Sequence, residues 1–66
     1  MHLTKGHPLL TPTGWKSLDP VLSSQEHEVD AELLNVGDVL LGFGTSVQVT
    51  NIKISSGTFT VYDNHQ

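Results

Sequence analysis

The clearest pattern of apolar and polar positions lies in the second half of the chain. Between residues 36 and 62, β-branched or aromatic residues alternate with polar ones, which is typical of strands with one buried face. Three glycine-containing segments interrupt the alternation: Gly37-Asp38, Gly42-Phe43-Gly44 and Ser55-Ser56-Gly57. The pattern therefore predicts a three-stranded meander.

The alternation changes phase once inside this meander. Val47 and Val49 occupy one phase, whereas Ile52 and Ile54 occupy the other. An extra residue near Thr50 and Asn51, forming a β-bulge, would return all four side chains to one face. Because bulges bend strands, the phase change favours a small, curved, mostly antiparallel all-β fold.

The first eighteen residues are expected to be extended chain and turn. Pro8 and Pro12 exclude a continuous helix and remove two backbone donors, which places this region at a sheet edge.

Residues 19–35 follow a different pattern. They open with Asp19-Pro20, and the segment from Ser23 to Glu26 has the spacing of a capping box. Val29 and Leu33 follow four positions apart. The pattern is compatible with a short helix or with an ordered loop, inserted around residues 23–34.

Acidic residues are concentrated in this insertion, at Glu26, Glu28, Asp30 and Glu32. Alternate carboxylates without the glycine and spacing of a calcium loop do not specify a cation site. We therefore interpret the cluster as a solvated face.

Composition narrows the classes of function. A chain of 66 residues allows one domain with a small core. Three basic and seven acidic residues give a net charge of -4, the wrong sign for nucleic-acid binding. There is no cysteine, and no apolar run approaches the roughly 20 residues that span a bilayer. We expect a soluble protein, with neither nucleic acid nor membrane as a partner.

The candidate chemistry lies near the start of the chain. His7 follows Thr4 by three positions and precedes Pro8, so a titratable ring sits in rigid extended chain. A neutral imidazole can polarise a reacting group and also protonate it. By itself a Thr-x-x-His pair is common, and most such histidines are structural or lie on the surface.

The surrounding segments occur in an informative order. The chain contains TKGHPLLTPTGWKSL, then LLNVGDVLL, then a short strand pair, then TFTVYDN. This order resembles the Hint (hedgehog/intein) family of self-processing modules over residues 4–63, with the acidic stretch as an insertion. Within that family the chain is most similar to Hint domains embedded in bacterial and phage structural or secreted proteins.

The resemblance implies roles for particular residues. His7 matches the histidine that activates the scissile amide for an acyl shift, and Thr4 matches its hydrogen-bonding helper. Asp63 matches the aspartate that assists a later cleavage. Trp15 and the pair Gly37-Asp38 match positions that we assign to packing and turn formation.

The chain also departs from the family pattern. A Cys or Ser nucleophile opens the family's first element, whereas this chain begins Met1-His2, and it stops at Gln66 before the family's late His-Asn pair. His65 lies too near Asp63 to match a late family histidine, so we interpret it as a disordered terminal residue. We therefore expect residues 1–66 to form a single partial Hint-like domain. It would be inactive alone and autocatalytic when its own flanking segments or a complementary fragment complete it.

Two other interpretations remain open. The chain is alternatively a structural or interaction module of a phage or bacterial surface protein that keeps a degenerate Hint-like scaffold, or a generic small β barrel that binds a peptide or ligand. No cofactor is expected, and the four histidines lack zinc-site spacing: His2, His7, His27 and His65. Open strand edges in so small a protein also favour a homodimer.

Overall fold

The computed structural model describes residues 1–42, 44 and 46–64, and within them the fold is all-β with one short helix. Phe43, Thr45, His65 and Gln66 lie outside the described residues, as do the predictions for His65 and for the middle of the Gly42-Phe43-Gly44 segment. The elements in chain order are β1 (His2–Thr4), β2 (Leu9–Thr11), β3 (Gly14–Ser17), α1 (Pro20–His27), β4 (Glu32–Leu33), β5 (Val39–Leu40), β6 (Val47–Ser55) and β7 (Thr58–Asp63).

The strands form two sheets that join into one curled surface. The larger has the order β1-β7-β6-β5, and the smaller has the order β2-β3-β4. The Leu41 N–H donates to the Leu10 carbonyl over 2.9 Å, which links the end of β5 to β2. Pairing is antiparallel except between β3 and β4, so the expected curved and mostly antiparallel fold is confirmed.

The predicted meander and its bulge are both present. Strands β5, β6 and β7 pair in sequence order, and β6 pairs Val49 with Asp63 but Asn51 with Tyr62. Thr50 is therefore the extra residue, where the phase change placed it. The bulge turns Ile52 toward the same core as Val49, because one added residue reverses the face of every following side chain.

One hydrophobic cluster fills the inside of the curl. Its buried members come from four strands and from the segment that follows β4, and Phe59 and Leu40 among them are fully buried. Leu3, Leu18 and Ile52 pack against it from the rim. The buried members are Leu9, Leu34, Leu40, Val47, Val49, Phe59 and Val61.

The helix begins earlier than the capping-box spacing indicates. Asp19 is the N-cap, its carboxylate accepts from the Leu22 N–H over 3.1 Å, and Pro20 occupies the first turn. A proline is favoured there because its missing N–H would be unpaired anyway. Ser23 consequently lies inside the helix and is buried, whereas the capping-box spacing places it at the helix start.

The helix also ends earlier than the Val29 and Leu33 spacing suggests. Glu28 adopts a left-handed conformation with φ 55°, and its N–H donates to the Ser24 carbonyl, which closes the last turn. The chain then leaves the helix and forms β4 parallel to β3. The predicted short helix is therefore present, and it lies in the crossover that a parallel strand pair requires. At eight residues it is too short to cross a membrane, and no helix among the described residues is long and apolar enough to do so.

Candidate functional site

Thr4 and His7 lie in a single turn that follows strand β1. The His7 N–H donates to the Thr4 carbonyl over 3.0 Å, and the Lys5 N–H donates to the Gly57 carbonyl over 3.2 Å. The first bond closes the turn, and the second ties it to the β6–β7 hairpin. The structure thus brings together two of the three residues that the sequence singled out.

The side chains of Thr4 and His7, at the two ends of this turn, are open to solvent. Thr4 and His7 are exposed, and among the described residues the His7 ring has no hydrogen-bond partner. A ring nitrogen that is not engaged by the protein is free to exchange a proton with a peptide bond placed beside it. This turn, which we call the Thr4–His7 turn, therefore presents an exposed imidazole that has no hydrogen-bond partner among the described residues.

Helix α1 packs against the backbone of this turn and forms hydrogen bonds with it. The Ser23 hydroxyl donates to the Gly6 carbonyl over 2.7 Å, and the Asp19 N–H donates to the Lys5 carbonyl over 3.1 Å. Ser17 Oγ lies 2.6 Å from Ser23 Oγ, which is hydrogen-bond distance. Ser23 therefore connects the turn to the end of strand β3 as well as to its own helix. Both serines are fully buried, so these bonds are shielded from water.

Gly6 is needed for this close approach. A Cβ at Gly6 would lie 2.8 Å from Leu22 Cγ, which is inside van der Waals contact. The absent side chain lets the helix lie directly on the turn, with its last residue near His7. The His27 and His7 ring centroids are 6.0 Å apart, and the rings meet edge to face at 60°.

Asp63 lies far from the other two candidates. Thr4 pairs with Thr58 at the start of β7, whereas Asp63 ends that strand, where it pairs with Val49. At about 3.3 Å per residue, the five intervening steps separate the two positions by about 16 Å. The structure does not bring Asp63 to the Thr4–His7 turn.

The Gly37-Asp38 turn has the geometry that a turn role requires. Gly37 has φ 97°, a conformation that residues with a side chain rarely adopt. The Asp38 carboxylate accepts from the Asn35 N–H over 2.8 Å and from Lys16 Nζ over 3.0 Å. The ion pair is mostly shielded from solvent, so this turn is fixed to strand β3.

Trp15 does not have the packing role that we expected. Its side chain is 43% exposed, and it pairs across the β2–β3 hairpin with Leu10, which is 40% exposed. Strand β3 turns Ser17, and not Trp15, fully into the interior. The expectation followed from the resemblance alone, and the alternation of β3 places the indole on the outer face.

The acidic stretch lies at the surface, as expected of a solvated face. All four of its carboxylate residues are exposed: Glu26, Glu28, Asp30 and Glu32. Within the described part of the chain, no group of three or more histidines and carboxylates is arranged to hold a metal ion.

An apolar cleft of about 460 Å³ opens beside the turn. Its walls come from the β4 segment and from the end of β6, where Leu33, Val36 and Ile54 are more than half exposed. Lys5 and Asp19 lie at the side where the cleft meets the Thr4–His7 turn. An extended peptide that occupied the cleft would thus reach the turn.

Sequence reasoning missed the residues that support the turn, namely Gly6, Ser23 and His27. Ser23 did carry a signal, since a serine inside a polar segment suggested a helix cap, but its partners Gly6 and Ser17 lie outside that segment. No local pattern indicated that His27 would meet His7. When the chain was compared with known proteins, no family model, curated protein or solved structure matched it.

Proposed function

We propose that this chain belongs to a self-processing module of the Hint type, in which His7 protonates the departing nitrogen of a peptide bond. The observation that carries the proposal is the Thr4–His7 turn, a hydrogen-bonded turn with an exposed imidazole that has no described partner. The chemistry of the resemblance requires such a ring. By the same resemblance we propose a bacterial or phage host protein.

The proposed reaction exchanges an amide for an ester or thioester. A hydroxyl or thiol adds to the carbonyl carbon, the C–N bond breaks, and the nitrogen leaves as an amine that has taken a proton from the His7 imidazolium. The proton lost by the nucleophile passes to the His7 imidazole, which restores the imidazolium and balances the charge. Thr4 donates a hydrogen bond that orients the amide, and the nucleophile comes from a flanking segment of the same polypeptide or from a complementary fragment.

Asp63 acts in a later cleavage in this proposal. Because Asp63 lies at the opposite end of β7 from the Thr4–His7 turn, the two ends of this strand serve two successive steps in the proposal. Replacing Asp63 with Asn should leave the first acyl shift intact and block release of the downstream segment. Mass spectrometry would detect the accumulated intermediate, and an unchanged product pattern would contradict this role.

The test of the whole proposal is a fusion of the chain to its natural upstream and downstream sequences. We expect cleaved or ligated products by mass spectrometry, and their loss in His7→Ala. His2→Ala is the matched control, because His2 is also exposed but its ring is hydrogen-bonded to Thr60 of the neighbouring strand β7. No product from the unaltered fusion, or product unaffected by His7→Ala, would reject the proposal.

A second candidate function is that of an interaction module without catalysis. The cleft beside the turn favours it, since Val36 and Ile54 expose apolar surface to solvent. Overlapping synthetic peptides from the host polypeptide would distinguish the two functions. Chemical-shift changes at the cleft that are abolished by Ile54→Lys, together with no cleavage, would favour the interaction module.

We also propose that open strand edges allow a homodimer. Strand β4 ends the smaller sheet, and both of its residues are exposed. Light scattering after size exclusion should give a mass that rises with concentration, and Leu33→Lys should lower it. Val21→Lys, at an exposed apolar position of the helix, is the control, and a strictly monomeric protein would contradict the proposal.

A further inference from the structure

Helix α1 packs on the Thr4–His7 turn through hydrogen bonds and through a close approach at Gly6. Two buried or partly buried hydrogen bonds join them, from Ser23 to the Gly6 carbonyl and from Asp19 to the Lys5 carbonyl. The missing Cβ of Gly6 removes the clash with Leu22 that would otherwise hold the two segments apart. The helix therefore has a fixed position relative to the backbone of His7.

The last residue of that helix reaches the His7 ring. The His27 ring centroid lies 6.0 Å from that of His7, with the planes at 60°, which is an edge-to-face contact. Both side chains are exposed, so neither ring is held in place by burial. Among the described residues, this is the aromatic contact that the His7 ring makes.

We propose that His27 is a positioning residue that fixes the orientation of the His7 ring. This inference rests on the proposed function, because the orientation matters for proton delivery to a peptide bond. A ring that is already oriented does not lose rotational freedom when the peptide bond arrives, and the chemical step is correspondingly faster. Ser23 and Gly6 support the same arrangement by holding the helix in place.

Two substitutions of His27 distinguish a packing role of its ring from a role in proton transfer. A phenyl ring at position 27 keeps the edge-to-face contact but carries no titratable nitrogen. His27→Phe should therefore preserve the orientation of His7, whereas His27→Ala should release it. If His27 instead passed protons to His7, His27→Phe would behave like His27→Ala.

The first test uses NMR on the 66-residue chain and needs no activity. We expect nuclear Overhauser contacts between the ring protons of His7 and His27. In His27→Ala, the His7 side-chain couplings should average toward free rotation, while backbone signals outside the turn and the end of the helix stay unchanged. In His27→Phe and in the control His2→Ala, the couplings should match the unaltered chain. Ring signals of His7 that are identical in His27→Ala and the unaltered chain would overturn the inference.

The second test measures the rate of cleavage in the fusion with natural flanking sequences. His27→Ala should lower the rate of the chemical step on the order of fivefold, as expected for one freed side chain, and His27→Phe should restore it. An unchanged rate in His27→Ala would overturn the inference and leave the proposed function standing. If the unaltered fusion produced no cleavage, the proposed function would fail, and the NMR result alone would decide whether His27 orients His7.

Discussion

At the scale of single residues, Ser23 links its own helix to the Thr4–His7 turn and to the end of strand β3. Its hydroxyl lies within hydrogen-bond distance of Gly6, of Ser17 and of Asp19 in the preceding turn of its own helix. Removing a buried hydroxyl of this kind destabilises the fold, because its former partners stay buried and water cannot replace the lost hydrogen bonds. Ser23 is therefore important for both the fold and the candidate site.

Replacing Ser23 with Ala should lower the free energy of unfolding by about 1–3 kcal/mol, because the Ser17 hydroxyl and the Gly6 carbonyl would lose a buried partner. Urea denaturation followed by circular dichroism would measure the change. Ser24→Ala is the matched control, since Ser24 is the exposed neighbour in the same helix and should change stability by less than about 0.5 kcal/mol. Equal effects of the two substitutions would show that the buried hydrogen bonds contribute nothing.

The cap residue Asp19 allows a second prediction. Asp19→Ala should cost about 1 kcal/mol, because the Leu22 N–H loses its acceptor at the helix start. Asp19→Asn should retain most of the stability, since an amide oxygen can accept the same bond. Denaturation midpoints of both variants would test this, with Asp30→Ala as an exposed control outside the helix. The prediction fails if Asp19→Ala and Asp30→Ala have the same midpoint.

At the scale of elements, the sequence patterns predicted the strands and the bulge, which depend on residues that are neighbours in the chain. Alternation with period two identified β6 and β7, and the phase change located the bulge at Thr50, because both properties are read from neighbouring residues. The proximity of Thr4 and His7 is likewise local, since one turn contains both.

Other features depend on contacts between distant segments and could not be predicted. Strand β4 has two residues, too few to show a periodicity, and it exists because α1 returns the chain beside β3. Ser23 turned inward because Gly6 and Ser17 lie beneath it, which no pattern in residues 19–35 reveals. The separation of Asp63 from Thr4 follows from the register of β1 on β7, and that register is set by tertiary pairing.

The bulge in β6 gives a prediction at this scale. Deleting Thr50 should turn Val47 and Val49 away from the core if Ile52 keeps its place, because each side chain moves to the opposite face. We expect loss of cooperative unfolding and of chemical-shift dispersion in the amide NMR spectrum. Thr50→Ser keeps the residue count and should fold normally. A folded, cooperative deletion variant would show that the bulge does not set the register.

At the scale of the whole molecule, stability depends on one small core. Phe59 is fully buried at its centre, and its replacement by Ala is expected to cost about 3–5 kcal/mol. Folded chains have roughly 0.05–0.15 kcal/mol of stability per residue, so this loss should leave much of the protein unfolded at 25 °C. Thermal unfolding by circular dichroism would measure the loss.

The control for this substitution is Ile54→Ala, on the neighbouring strand. Ile54 is 59% exposed and pairs directly with Phe59. The substitution Ile54→Ala therefore removes an apolar side chain without opening a cavity. Its effect should be below about 1 kcal/mol. Comparable losses in the two variants would mean that the curled sheet does not enclose a discrete core.

The pairing of β1 with β7 has a consequence for the order of folding during synthesis. His2 and Thr60 lie side by side although they are 58 positions apart in sequence. Such a contact forms late, because a long loop must close before it is gained. Since a protein is made from its N-terminus toward its C-terminus, the Thr4–His7 turn is synthesised before the strand that anchors it. The arrangement therefore delays the anchoring of the Thr4–His7 turn until nearly all of these residues have been translated.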